Sequence, residues 1–142
     1  MNARDYIASE QFIHDDLLRR AEQVVQRLPA WWRRDGHVRP VLLCWPGEPV
    51  QGSDGTTIDD VCALDLTNVP IEARTDAITQ MIARTRAYGL FFVEQLPGAV
   101  RAVFETRHGS RGWERRIFDH GGVLVLEDAV MTENVPGFGL RG

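Results

Sequence analysis

The chain predicts an α+β fold: a mostly antiparallel sheet of about six strands with two helices packed on one face, in the order α-β-β-α-β-β-β-β. Three observations lead there. An apolar stripe of helical period opens the chain and a second lies near its middle. From Gly89 to Glu127, four short runs rich in aromatic and β-branched residues follow one another with only turn residues between them. Strands this close in sequence usually pair with their neighbours, so the last block reads as a meander.

The first helix is expected over about Asp5–Leu28. Ile13, Leu17, Ala21, Val24 and Leu28 recur at helical spacing, and Leu18 and Val25 widen the stripe. Asp15, Asp16, Arg19, Arg20, Glu22, Gln23 and Arg27 fill the opposite side, and Pro29 is expected to stop the helix. Trp31-Trp32-Arg33-Arg34 then falls on a loop, with one Trp filling the gap under the helix end and the other covering the sheet edge. Aromatic and Arg side chains dominate binding hot spots, so these four residues are also a candidate interaction spot.

Val38–Trp45 reads as a strand whose Pro40 suits an early or edge position. Pro46–Gly55 is a loop with a turn at Asp54-Gly55, and Ile58–Leu66 is a second strand with Asp59 and Asp60 at its start and Asp65 interrupting its apolar run. Thr67-Asn68-Val69-Pro70 introduces a second helix over about Ile71–Tyr88. Ile71, Ile78, Met81, Ile82 and Thr85 make its inner stripe, Arg84 and Arg86 complement its dipole, and Gly89 is its expected stop.

The meander strands are Leu90–Leu96, Val100–Arg107, Trp113–Asp119 and Val123–Glu127, with turns at Pro97-Gly98, His108–Gly112 and Gly121-Gly122. Closing these turns sets Glu94 opposite Arg101, Phe92 opposite Val103, Glu105 opposite Arg115, Val103 opposite Ile117, and Phe118 opposite Val125. One face then gathers Phe91, Val93, Val100, Ala102, Phe104, Phe118, Val123 and Val125 as the core. The other gathers Glu94, Arg101, Glu105, Arg115 and Asp119 around Phe92, Val103, Ile117 and Leu126. Phe92, Arg101, Val103 and Ile117 are the candidate contact surface of that mixed face. One more extended segment is expected around Val130–Val135, with residues 136–142 as a loose tail.

At 142 residues the chain suits a single domain, and 44% hydrophobic and 25% charged content is ordinary for a globular protein. A net charge of −4 provides no basic footprint for nucleic acid. No apolar run approaches the roughly 20 residues that span a bilayer, and the first residues carry no signal-peptide core, so a cytoplasmic protein with no membrane partner is expected. All 16 basic residues are Arg. Without Lys the chain excludes a Schiff base to pyridoxal phosphate, a P-loop lysine and a kinase-type phosphate lysine.

The four histidines, His14, His37, His108 and His120, show no zinc-site spacing, and there is no CxxC, so no metal or cofactor is expected. Ser9, Ser53 and Ser110 lack the GxSxG context of a nucleophile elbow, and Gly109-x-x-Gly112 is too short for a phosphate cradle. The catalytic candidates are His120 as a general base beside Asp119, Cys44 as a thiol, and Asp65 as a carboxylate, with Asp60 or Glu94 in support. Cys44 and Cys62 otherwise read as small hydrophobes within strands.

The element order, together with Phe92-Val93-Glu94 and Phe104-Glu105-Thr106 followed by the glycine loop, resembles small bacterial and phage-borne α+β proteins that carry no assigned activity. The match covers mainly Ala87–Asp119. It implies a fold and no mechanism. The leading expectation is a non-catalytic protein-interaction or assembly module, self-association into a homo-oligomer included. Its rivals are a small hydrolase or lyase using His120 or Cys44 with nearby carboxylates, and an acidic inhibitor or immunity-type protein bound to a basic partner.

Overall fold

The computed structural model describes residues 3–46, 50–51, 57–58, 62–133 and 135–140. Ser53, the Asp54-Gly55 turn, Asp59 and Asp60 lie outside the described residues. The described elements are α1 (Ala3–Asp35), β1 (Val41–Trp45), β2 (Val50–Gln51), β3 (Thr57–Ile58), β4 (Cys62–Asp65), α2 (Ile71–Thr85), β5 (Gly89–Leu96), β6 (Ala99–Thr106), β7 (Gly109–His120), β8 (Val123–Leu126) and β9 (Val130–Glu133). β2 and β3 form a separate two-stranded ribbon. The others build one seven-stranded antiparallel sheet in the order β4-β1-β5-β6-β7-β8, with β9 also on β7.

The α+β class and the antiparallel meander are as the sequence predicts. The placement of the helices is not. Leu17, Ala21, Leu28 and Trp32 of α1 pack with Phe91, Val93, Val100, Ala102 and Phe104. Ile78 of α2 packs with Leu42, Cys44, Leu90 and Phe92. Residues 91 and 92 point to opposite sides of one strand, so the helices cover opposite faces of the sheet. The cause is visible in β1 and β5, whose apolar residues run on without alternation: Val41–Trp45 and Leu90–Val93 have an apolar side chain for each face.

Pro29 does not stop α1, which continues to Asp35. A proline inside a helix removes one hydrogen bond and crowds the preceding turn, at about 3 kcal/mol. Burial of Trp32, half-burial of Trp31 and the Trp32 Nε1–H bond to the Leu124 carbonyl at 3.1 Å lie in the turn that follows and offset that cost. The actual stop is Gly36, at φ +70°, whose N–H donates to the Trp32 carbonyl. Likewise α2 ends before Gly89. Arg86 takes the left-handed conformation at φ 48°, and the Ala87 N–H donates to the Ile82 carbonyl. Gly89 belongs to β5 instead, where an added Cβ would lie 2.6 Å from Leu17 Cδ2 and 3.1 Å from the Glu105 carbonyl oxygen. Ile71, expected in the inner stripe of α2, is exposed.

The first and third hairpins of the meander have the expected register, with Phe92 opposite Val103 and Phe118 opposite Val125. The middle hairpin does not. Thr106 pairs with Gly109 across a two-residue turn, so Val103 faces Gly112 rather than Ile117. That is a slip of five positions, and an odd slip exchanges the faces of every residue beyond it. Trp113, Ile117 and Leu126 therefore join the α1 side, while Phe118, Val123 and Val125 turn outward and are exposed.

β8 and β9 act as one interrupted strand beside β7. His120 pairs with Val123 and Ile117 with Leu126, but Glu114 pairs with Val130 and Arg111 with Glu133. The offset changes by one residue between the two sets, which is a β-bulge across 127–129. Beyond Arg116, where β6 ends its pairing, β7 and β8 project as a two-stranded arm.

Candidate functional site

The catalytic candidates do not converge. Cys44 lies in β1 and His120 at the far end of β7, with β5 and β6 between them. Three strand spacings separate those strands by about 14 Å, well outside hydrogen-bond reach. Cys44 is buried, with Sγ 3.5 Å from Thr85 Oγ1, and burial pushes its thiol up, away from the reactive thiolate. His120 is exposed beside the arm's turn, where the Asp119 carboxylate accepts the Gly122 N–H at 2.9 Å. Glu94 is half-buried opposite Arg101.

Asp65 is committed to a turn. Its Oδ1 accepts the Thr67 N–H at 2.9 Å and the Thr67 hydroxyl, and Arg39 approaches Oδ2 at 3.4 Å. The Thr67 hydroxyl and amide hold its carboxyl below the usual range against desolvation, with a lesser contribution from the Arg39 charge. A carboxylate stabilised as the anion is a poor general base. Its lowered value means that the turn's contribution to stability is complete above the ordinary carboxylate pKa. It is lost only as pH falls through the lowered one. An NMR titration of the Asp65 side chain is expected to give a midpoint below 3.8, and in Thr67→Ala one closer to that value. Among the described residues, no group of three or more His, Cys, Asp or Glu side chains could hold a metal ion.

The mixed face expected to meet a partner is already covered. Phe92 is buried under α2, and Val103 is also buried. Ile117 lies on the other side of the sheet altogether. Arg101 alone of that set stays half-exposed on this face. The cover is the segment 135–140, of which residues 136–140 fall in the expected loose tail. It crosses the sheet as a strap. Val135 sits over Gly112, where a Cβ would come within 2.7 Å of Val135 Cγ1. Phe138 meets Phe92 edge-on at 5.9 Å, and Leu140 is buried in the α2-side core. Glu105 holds the strap, its buried carboxylate accepting N–H bonds from Phe138 at 3.0 and 3.1 Å and from Leu140 at 3.0 Å. Nothing in the sequence marks this role, because the expected register sets Arg115 opposite Glu105. Glu105 pairs with Ser110, not Arg115.

The Trp-Arg spot lies on the last turns of α1, between two grooves. Trp32 and Arg33, with Pro29, face β8 across a groove of about 340 Å³ completed by Val123–Leu126. Trp31 and Arg34 line a second groove of about 260 Å³ with Asp35, His37, Arg39 and Val41. Arg34 is held bidentately by Asp35 at 3.0 and 3.1 Å. Next to the first groove, the arm and the bulged strand expose Phe118, Val123, Leu124, Val125, Val130 and Met131. Phe118, Val123 and Val125 share the outer face of the arm, since Phe118 pairs with Val125 and Val123 stands two residues away on the same strand. No described helix is long and apolar enough to cross a membrane. No family model, curated protein or solved structure matches the chain.

Proposed function

We propose that the chain is a non-catalytic protein-interaction or assembly module that meets its partner through the outer face of the β7–β8 arm and the adjoining groove. One observation carries this reading. Phe118, Val123, Val125 and Val130 stand exposed on one face of the neighbouring strands β7, β8 and β9, while β1 and β5 bury apolar side chains on both faces. Contiguous exposed apolar patches on a folded chain mark interaction surfaces, whereas single exposed apolar residues carry no such meaning. Trp32 and Arg33 border the patch, and both residue types are enriched at binding hot spots. The open edge of β8 is partly closed by the Trp32 bond to Leu124, which favours contact by the apolar face over strand addition.

Substituting Val123→Glu together with Val125→Glu tests the reading. The wild type is expected to show a concentration-dependent mass in sedimentation velocity or to form a defined complex with a second protein chain. The double variant is expected to lose that association by at least about tenfold in affinity while its circular dichroism is unchanged. A wild type that stays monomeric, and binds nothing that the variant does not bind equally, overturns it.

A further inference from the structure

We infer that Cys44 and Cys62 form a two-electron redox site which a peroxide oxidises to a disulfide, stapling the edge strand β4 to β1. The pairing register sets Cys44 directly opposite Cys62, and directly opposed residues on antiparallel strands share a face. The spacing follows from the ladder. The Leu66 N–H donates to the Pro40 carbonyl at 2.8 Å, one step beyond the Val41–Asp65 pair, so that step is a hydrogen-bonded position. By alternation, Leu42–Leu64 and Cys44–Cys62 are hydrogen-bonded positions as well. The α-carbons of such a pair stand about 5.5 Å apart, inside the roughly 4.4–6.8 Å that disulfides bridge. Both residues are thiols in this structure, so the pair is set in the reduced state.

The two environments order the chemistry. Cys62 is half-buried at the start of the edge strand, whereas Cys44 is buried beneath α2. Burial pushes the Cys44 thiol up, which leaves Cys62 as the sulfur that meets the oxidant. The Cys62 thiolate attacks one peroxide oxygen and the O–O bond breaks. A sulfenic acid forms, and the departing hydroxide takes a proton to become water. The Cys44 sulfur then attacks the sulfenic sulfur, and the S–O bond breaks. That hydroxide leaves with the Cys44 proton as a second water. Two thiols have lost two electrons and two protons, and one hydrogen peroxide has become two waters. An added dithiol reverses the step by exchange through a mixed disulfide. Closure also removes the Cys44 thiol from its contact with Thr85 in the last turn of α2, so oxidation is felt by the helix as well as the sheet edge.

The test is chemical and uses the native chain. Reduced protein is treated with hydrogen peroxide, alkylated in denaturant, and weighed intact and after proteolysis. The expected product is a monomer lighter by about 2 Da, with no alkylatable thiol and with the Cys44 and Cys62 peptides joined until dithiothreitol is added. The same closure in urea is expected to be at least about tenfold slower, because only the folded ladder aligns the two sulfurs. Cys44→Ser is expected to retain oxygenated Cys62 without the internal bond. Two surviving thiols, oxygen added to Cys62 beside an alkylatable Cys44, a chain-to-chain disulfide, or an equal rate in urea would each overturn the inference.

Discussion

Phe91→Ala is expected to lower folding stability by about 3–5 kcal/mol, whereas Phe118→Ala is expected to cost at most about 1 kcal/mol. Phe91 is fully buried, sits opposite Phe104, and lies with its ring 6.2 Å edge-on from Trp113 in the core beneath α1. Truncation there loses the transfer free energy of a whole aromatic ring and leaves a cavity that neighbours on two strands and a helix cannot fill. Phe118 is 46% exposed on the arm, where nearly half of its surface is already in water. Urea unfolding of the two variants beside wild type gives both numbers. Total stability of a domain this size is about 5–15 kcal/mol, so Phe91→Leu, with a smaller loss, supplies a measurable variant if the alanine form does not fold. Similar losses at the two positions would mean that both rings share the core, and the register of β6 on β7 would be wrong.

That contrast also marks where sequence reading stops. Phe91 lies in an unbroken apolar run and Phe118 in an alternating strand, yet the expected register puts both on the core face. What separates them is the turn between Thr106 and Gly109. Arg107-His108 closes the hairpin in two residues, while the more obvious punctuation, Gly109 and Gly112, lies inside β7. Gly112 looks like loop chemistry in the sequence. Its reason is steric and remote: Val135, far along the chain, needs the space its missing Cβ leaves. Gly89 looks like a helix stop for the same kind of reason, although its close neighbours are Leu17 and Glu105. Both glycines serve contacts between segments distant in sequence, and local pattern carries no trace of those.

The helices follow the same division. Their existence was legible because amphipathic spacing is a local signal. Their placement on opposite faces was legible only in principle, through the unbroken apolar runs of β1 and β5 that call for cover on both sides. Pro29 carries a strong local rule, and tertiary burial of Trp32 overrode it. The candidate site shows the cost of such errors. Trp32 and Arg33 survive as part of a surface groove, but Phe92 and Val103 fall under the strap, and Phe118, Val123 and Val125 of the exposed patch are residues the odd slip moved out of the core.

Glu105→Ala is expected to cost about 2–4 kcal/mol and to release the strap, because two N–H groups lose a charged acceptor at a buried site. Glu105 is 2% exposed, and its carboxylate meets the Phe138 and Leu140 amides at 3.0–3.1 Å. Hydrogen bonds to a charged group are worth about 1.5–3 kcal/mol, more than neutral ones, and the orphaned donors would otherwise remain desolvated. Glu105→Gln keeps the shape and one acceptor oxygen, so it is expected to lose about half as much. Gly137→Ala attacks the same contact from the other side, since its Cβ would fall 1.2 Å from Glu105 Oε2. Amide hydrogen exchange separates local from global effects: Phe138 and Leu140 should lose protection in Glu105→Ala and Gly137→Ala while Phe91 and Val93 keep theirs. Release also uncovers Phe92 and Val103, two of the four mixed-face residues that the sequence offers as a contact surface. Binding of a hydrophobic dye is therefore expected to rise in both variants. If protection at Phe138 and Leu140 is unchanged in Glu105→Ala, the strap is held by Phe138 and Leu140 packing alone, and the buried carboxylate has some other role.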